Sequence, residues 1–159
     1  MKIRVIAVGK LKEKYLKEGI AEYSKRLQGY CDFEIVEVSD ERIPRRPTLA
    51  EEALIKAKEG RRILDHVKER DYMILLDVSS KQMDSLHFAC ELHDIMLSGY
   101  STIDFVIGGS LGHGDDVLER ANLKLSISKM TMPHQLFRLV LIEQIYRAFK
   151  INNNETYHK

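Results

Sequence analysis

Short apolar runs alternate with amphipathic stretches along the whole chain, and the alternation predicts its elements. Lys2 to Val8 (KIRVIAV) is β-branched and almost continuously apolar, the pattern of a strand covered on both faces. After Gly9, Lys12 to Gln28 places Leu16, Ile20, Tyr23 and Leu27 on one helical face, with Gly29 to stop it. Phe33 to Val38 reads as a second strand. Asp40 to Pro47 (DERIPRRP) holds two prolines and three arginines, so it reads as an exposed, mobile loop. Thr48-x-x-Glu51 is a capping box that opens a helix reaching about His66, with an interruption at Gly60. Tyr72 to Leu76 is a third strand, and Asp84 or Ser85 caps a helix that ends at Ser98-Gly99. The strand Ile103–Ile107, a short helix Asp115–Arg120, the strand Leu123–Ile127 and a long helix from His134 complete the chain. Strands alternating with helices predict an α/β fold with a doubly wound parallel sheet. Residues 1–159 form one domain.

The last helix carries an anomaly. At about 100° per residue, Glu143, Gln144, Arg147 and Lys150 share a polar stripe, while Arg138 falls among Leu141, Ile142, Ile145 and Phe149. His134 lies one turn before it. A guanidinium is always charged and does not sit on an apolar face without a partner. An anionic group with a functional role is therefore expected beside Arg138. The apolar arc of this helix is also wider than one core contact requires, which predicts a homodimer interface.

Composition removes several classes of function. The chain has 44% apolar and 31% charged residues, and no apolar run approaches the roughly 20 residues of a membrane helix. Met1-Lys2-Ile3-Arg4 leads into a strand without a signal-peptide pattern, and two cysteines make no disulfide framework, so a cytoplasmic protein is expected. The net charge of +1 conceals a division: residues 1–30 carry +5, residues 124–159 carry +4 and the middle carries −8. Ends that meet in space would make a positive face suited to phosphates. His87-x-x-Cys90-x-x-His93 is the only cluster resembling a metal site, but three side chains fanned over a helix without a fourth ligand do not make one, and no metal is expected.

Two loops at strand ends carry the chemistry. Gly108-Gly109-Ser110-Leu111-Gly112-His113-Gly114 follows a strand and precedes a helix, where backbone can approach a ligand closely. Its spacing fits neither the dinucleotide fingerprint nor the P-loop. The SKMTMPHQ turn, with Ser126 just before it, combines Ser128 and Thr131 with Met130 and Met132, polarizable fillers suited to a flat ring. It lies beside the glycine loop if the two strands before them are neighbours.

Several of these segments carry a resemblance. Ala7-Val8-Gly9-Lys10, Ile107-Gly108-Gly109-Ser110, the segment from Ser126 to Gln135, Glu143-Gln144-Ile145-Tyr146-Arg147-Ala148 and the ending Tyr157-His158-Lys159 resemble the ribosomal RNA large-subunit methyltransferase H family, within the SPOUT, or α/β-knot, methyltransferases. The resemblance covers the whole chain and departs from the family at Leu111-Gly112-His113-Gly114. It implies a trefoil knot over about residues 103–150, a homodimer, and S-adenosylmethionine (SAM) as cofactor. The implied activity is methylation of N3 of a pseudouridine in a 23S rRNA hairpin of the assembled ribosome. Leu76, Gly108, Gly109, Ile127, Ser128, Lys129, Met130, Thr131 and Met132 are then expected to hold SAM, with His134 as general base and Arg138 as stabiliser of developing charge. Tyr157, His158 and Lys159 are expected to contact RNA. A SPOUT enzyme acting on tRNA, or a ribosome-binding protein without activity, are the alternatives.

Overall fold

The computed structural model describes all 159 residues. Its elements follow the alternation: β1 (Lys2–Val8), α1 (Lys14–Leu27), β2 (Asp32–Val38), α2 (Leu49–Leu64), β3 (Tyr72–Leu76), α3 (Ser85–Leu97), β4 (Thr102–Ile107), α4 (Asp115–Arg120), β5 (Leu123–Leu125) and α5 (His134–Asn152). The five strands form one parallel sheet in the order β2-β1-β4-β3-β5.

Because side chains alternate across a strand, each central strand feeds two cores. Ile3, Val5, Ile74, Ile103 and Phe105 face α1, α3 and α5, together with Leu92, Leu141 and Ile145. Ile6, Met73, Leu75 and Val106 face α2 and α4, where Ile63 and Val117 close the smaller core. At the N-terminal edge Arg4 donates to both oxygens of buried Asp104 (2.7 and 2.9 Å) and to Asp71 (3.0 Å), which compensates a charge that burial alone would not allow.

Three expectations change. The helix α2 runs unbroken through Gly60, and a Cβ there would stand 2.8 Å from Val117 Cγ2; the glycine admits α4. Strand β5 ends at Leu125 rather than Ile127, because Ser126 N–H leaves the ladder to donate to Lys81 O (3.0 Å) and its hydroxyl turns to Ser128 O (3.1 Å). Strands β4 and β5 are not neighbours, since β3 lies between them.

That last change positions the site. The connection from β4 to β5 crosses the C-terminal end of β3, so the segments leaving all three strands meet over Leu76. The helix α5 lies against α1 and α3 with none of its residues exposed. Its apolar arc is thus largely consumed within one chain, leaving Leu136, Leu139 and Val140 half-buried.

Candidate active site

A cavity of about 550 Å³ opens over the end of β3. Leu76, Asp77 and Val78 form its floor, Gly108, Gly109 and Ser110 one wall, and the 126–133 turn the other. His134 and Phe137 of α5 complete the lining. The floor is fixed by Asp77, whose N–H donates to Leu125 O (2.9 Å) and whose carboxylate accepts from the hydroxyls of Ser79 (2.8 Å) and Ser80 (2.9 Å). Partial burial pushes its acidity the other way, but these hydrogen bonds and nearby His113 hold the carboxyl below its usual range.

The glycine wall is shaped by a residue passed over in the sequence. His113 Nε2 lies 2.7 Å from Leu76 O. A carbonyl only accepts, so the ring is the Nε2–H tautomer and Nδ1 is the lone-pair nitrogen. That Nδ1 is buried without a partner. A Cβ on Gly108 would stand 2.7 Å from His113 Cε1, and one on Gly109 would stand 2.8 Å from Glu59 Oε1. A side chain at either position would therefore collide with the chain's own His113 or Glu59 behind the wall. Burial lowers the His113 pKa from its ordinary value, against the opposing pull of Leu76 O and Asp77, while burial raises that of Glu59.

The opposite wall is suited to a ligand with polar edges. The backbone N–H groups of Ile127, Ser128, Thr131 and Met132 donate to no other atom of the chain, while Met130 N–H is taken by Ser128 Oγ (3.0 Å). Free donors beside the apolar Leu125, Ile127 and Met132 can hold a flat heterocycle by its edge and its face. Met130 is 80% exposed at the mouth.

Of the residues expected to bind a cofactor, the cavity gathers Leu76, Gly108, Gly109, Ile127, Ser128, Met130, Thr131 and Met132; Lys129 is absent from its lining. His134 stands on the rim and also lines a second, polar cavity of about 280 Å³ with Gly9, Lys10, Lys12, Glu37 and Ser39. Arg138 lines neither. It is 1% exposed, with Nη1 donating to Glu37 Oε2 (2.7 Å) and Nη2 to Gly9 O (3.2 Å), while Nε has no partner. The expected anion beside Arg138 is thus Glu37, supplied by the chain itself from β2. Glu37 also accepts Leu11 N–H (2.8 Å); partial burial works against ionisation, but these contacts hold its carboxyl below the usual range.

The chain's ending folds back on α5. Tyr157 donates to Glu143 Oε1 (3.0 Å) and packs edge-on to Tyr146, Arg147 lies over the Tyr157 ring (4.7 Å), and His158 Nδ1 stands 3.2 Å from Arg147 Nη1. Tyr157, His158 and Lys159 do not reach the cavity of their own chain. Cys90 is exposed, His87 is engaged with Asp84, and nowhere do three His, Cys, Asp or Glu side chains converge as metal ligands would. No helix is long and apolar enough to cross a membrane.

Residues 1–158 match the family model described as "Predicted SPOUT methyltransferase". The chain belongs to the SPOUT methyltransferase family. Proteins named "Ribosomal RNA large subunit methyltransferase H" from Clostridium acetobutylicum and Latilactobacillus sakei are 54% and 57% identical to it over 159 residues, covering all of both chains. One from Clostridium botulinum (strain Kyoto / Type A2) is 55% identical over the same full length. The resemblance read from the sequence is therefore met across this methyltransferase chain.

Neutral His113 makes a pH prediction. Its folded pKa lies below the unfolded value of about 6.5, so its contribution is complete above that pH and is lost as pH falls through the folded pKa. Raised Glu59 and Asp104 act in the opposite direction, so the comparison must be with a variant. Urea unfolding of the wild type and of His113→Gln between pH 7.5 and 5 is expected to show a steeper acid loss in the wild type. Parallel curves would mean that the ring is not held neutral.

Proposed function

We propose that the chain transfers a methyl group from SAM to N3 of a pseudouridine in large-subunit ribosomal RNA, acting on the assembled ribosome. The observation that carries this reading is the cavity over β3, where unpartnered backbone donors and apolar side chains stand together and His134 occupies the rim. The full-length relatives named as ribosomal RNA methyltransferases support the substrate class.

The residues present fit the cofactor. The N–H groups of Ile127, Ser128, Thr131 and Met132 suit the edge of an adenine, and Leu76, Leu125 and Ile127 suit its face. When bound, SAM supplies a methyl group on a positively charged sulfur, ready for in-line attack. The chain's part is mainly positioning. His134 takes the imide proton of the target as the N3–C bond forms, because imidazole exchanges protons near neutral pH and this ring faces both cavities. Arg138 acts through the turn it holds: its bonds to Glu37 and Gly9 O fix the segment packed beside His134, where a Cβ on Gly9 would stand 3.7 Å from Nε2.

The same reading includes a homodimer knotted over about residues 103–150. The path supports it, since the chain leaving β4 crosses the end of β3 before β5 and the 126–133 turn then folds over the same segments. Half-buried Leu136, Leu139 and Val140, with exposed Val78 and Met130 at the cavity mouth, mark surface for a partner copy. A tail that cannot reach its own cavity would serve the partner's. Sedimentation and a crystal structure test this together: a knotted dimer of roughly 37 kDa, twice the 18.4 kDa chain, is expected, and a clean monomer or an unknotted trace overturns it.

Turnover tests the activity. Purified protein with labelled SAM and no added metal is expected to methylate intact ribosomes far faster than naked rRNA or tRNA, because a chain of net charge +1 binds bare phosphates weakly. His134→Gln is expected to lose on the order of a hundredfold in rate with SAM binding retained. Arg138→Ala is expected to lose rate and stability together. Deleting residues 157–159 should abolish transfer and spare SAM affinity. Methylation of tRNA in preference to ribosomes, or full rate in His134→Gln, would contradict the assignment.

A further inference from the structure

Beyond its root the DERIPRRP loop has no part in the site described above, yet its geometry is defined at both ends. At its root Arg62 donates to Ser39 O (2.8 Å) and to Glu41 Oε1 (2.9 Å), and Glu41 N–H donates to buried Glu59 Oε2 (3.0 Å). At its far end Thr48 and Glu51 close the capping box of α2. Pro44 and Pro47 restrict the backbone between these anchors. Arg42, Arg45 and Arg46 lie in that span, all exposed, and none makes a hydrogen bond or ion pair within the chain. Three arginines held outward on a pinned loop contribute nothing to the fold.

Their place gives them a use. The root residues Ser39 and Asp40 line the polar cavity that shares His134 with the cofactor cavity, and exposed Lys10 and Lys12 line it too, neither ammonium paired. Five unpaired cations therefore stand along the edge of the sheet from which the reaction proceeds. Of the carboxylates nearby, Glu37 is taken by Arg138 and Glu41 by Arg62; Asp40 and Glu13 remain. The local field is positive although the whole chain is almost neutral. Guanidinium forks match phosphate oxygens bidentately, and structured RNA is read largely through its backbone and shape.

We infer that Arg42, Arg45 and Arg46, with Lys10 and Lys12 at the loop's root, form a phosphate-binding rail that seats the ribosomal RNA beside His134. The inference rests on the rRNA reading above and deepens it: the rail sets where the RNA backbone runs and leaves SAM untouched. Both ends of the loop are fixed, so little conformational freedom is lost on docking.

Equilibrium binding of the protein to intact ribosomes, measured across a salt series, tests the rail without requiring turnover. For the R42A/R45A/R46A triple variant, affinity at low salt is expected to fall at least tenfold. The slope of log affinity against log salt should become shallower by about two to three, the value for three lost phosphate contacts. Calorimetric SAM affinity and the unfolding midpoint should stay at wild-type values. The triple lysine variant R42K/R45K/R46K should recover most of the slope, and K68A/R70A at the opposite edge of the sheet should change nothing. In turnover the alanine triple should raise KM for ribosomes with little change in kcat. An unchanged slope and KM in the alanine triple, or an equal loss in K68A/R70A, overturns the rail. A wild type that binds ribosomes with the expected slope yet transfers no methyl group overturns the activity and leaves the rail standing; one that does not bind ribosomes overturns both.

Discussion

The site depends on one topological constraint: β3 lies between β4 and β5. Neither of its neighbours can complete a wall beside the other, so the segments that follow them must converge over the end of β3. Backbone brought so close over buried strands has to be bare on one side and satisfied on the other. Gly108 and Gly109 provide the bare side, with His113 and Glu59 packed where side chains would be. The 126–133 turn leaves the N–H groups of Ile127, Ser128, Thr131 and Met132 without partners, a cost acceptable only where a ligand or solvent meets them. The parallel sheet with a core on each face makes the floor rigid enough to hold that arrangement.

The second constraint is the buried charge of Arg138. An unpaired guanidinium among Leu141, Ile142 and Ile145 would be strongly destabilising, and Glu37 removes most of that cost at 2.7 Å. The pair also does structural work, since Glu37 holds Leu11 N–H and Arg138 holds Gly9 O. The β1–α1 turn is thereby tied to the start of α5, where His134 stands. Helix α5 thus serves as core element, as carrier of the rim histidine, and as the seat for the chain's own ending through Glu143, Tyr146 and Arg147.

Much of this was legible in the residues, and the failures share a cause. Apolar runs and caps located each element to within a few residues, because period and capping are local properties; Thr48 with Glu51 formed the box its spacing implied. Small residues at strand ends single out the glycine loop and the SKMTMPHQ turn, and both line the cavity over β3. Strand order was not legible, since nothing in Leu123–Leu125 says which neighbour it will pair with. The role of Glu59 is not legible because it stands behind a glycine 50 residues away, and that of His113 because a loop's sequence does not show which way its ring turns. The apolar surroundings of Arg138 call for an anion, and Glu37 supplies it, but periodicity on one helix cannot show that the anion comes from β2. The tail's return to α5 was likewise invisible, being made by contacts across the fold rather than by any local pattern.

The proposed function requires SAM to bind in the cavity over β3. Titrating isotope-labelled protein with SAM and following backbone amide resonances tests it most directly. Saturable shifts are expected at Leu76 to Val78, at Gly108 to Gly112 and above all at Ile127, Ser128, Thr131 and Met132, whose free N–H groups acquire a partner. Shifts confined to the polar cavity at Lys10, Lys12 and Ser39, or no saturable shift at all, would contradict it.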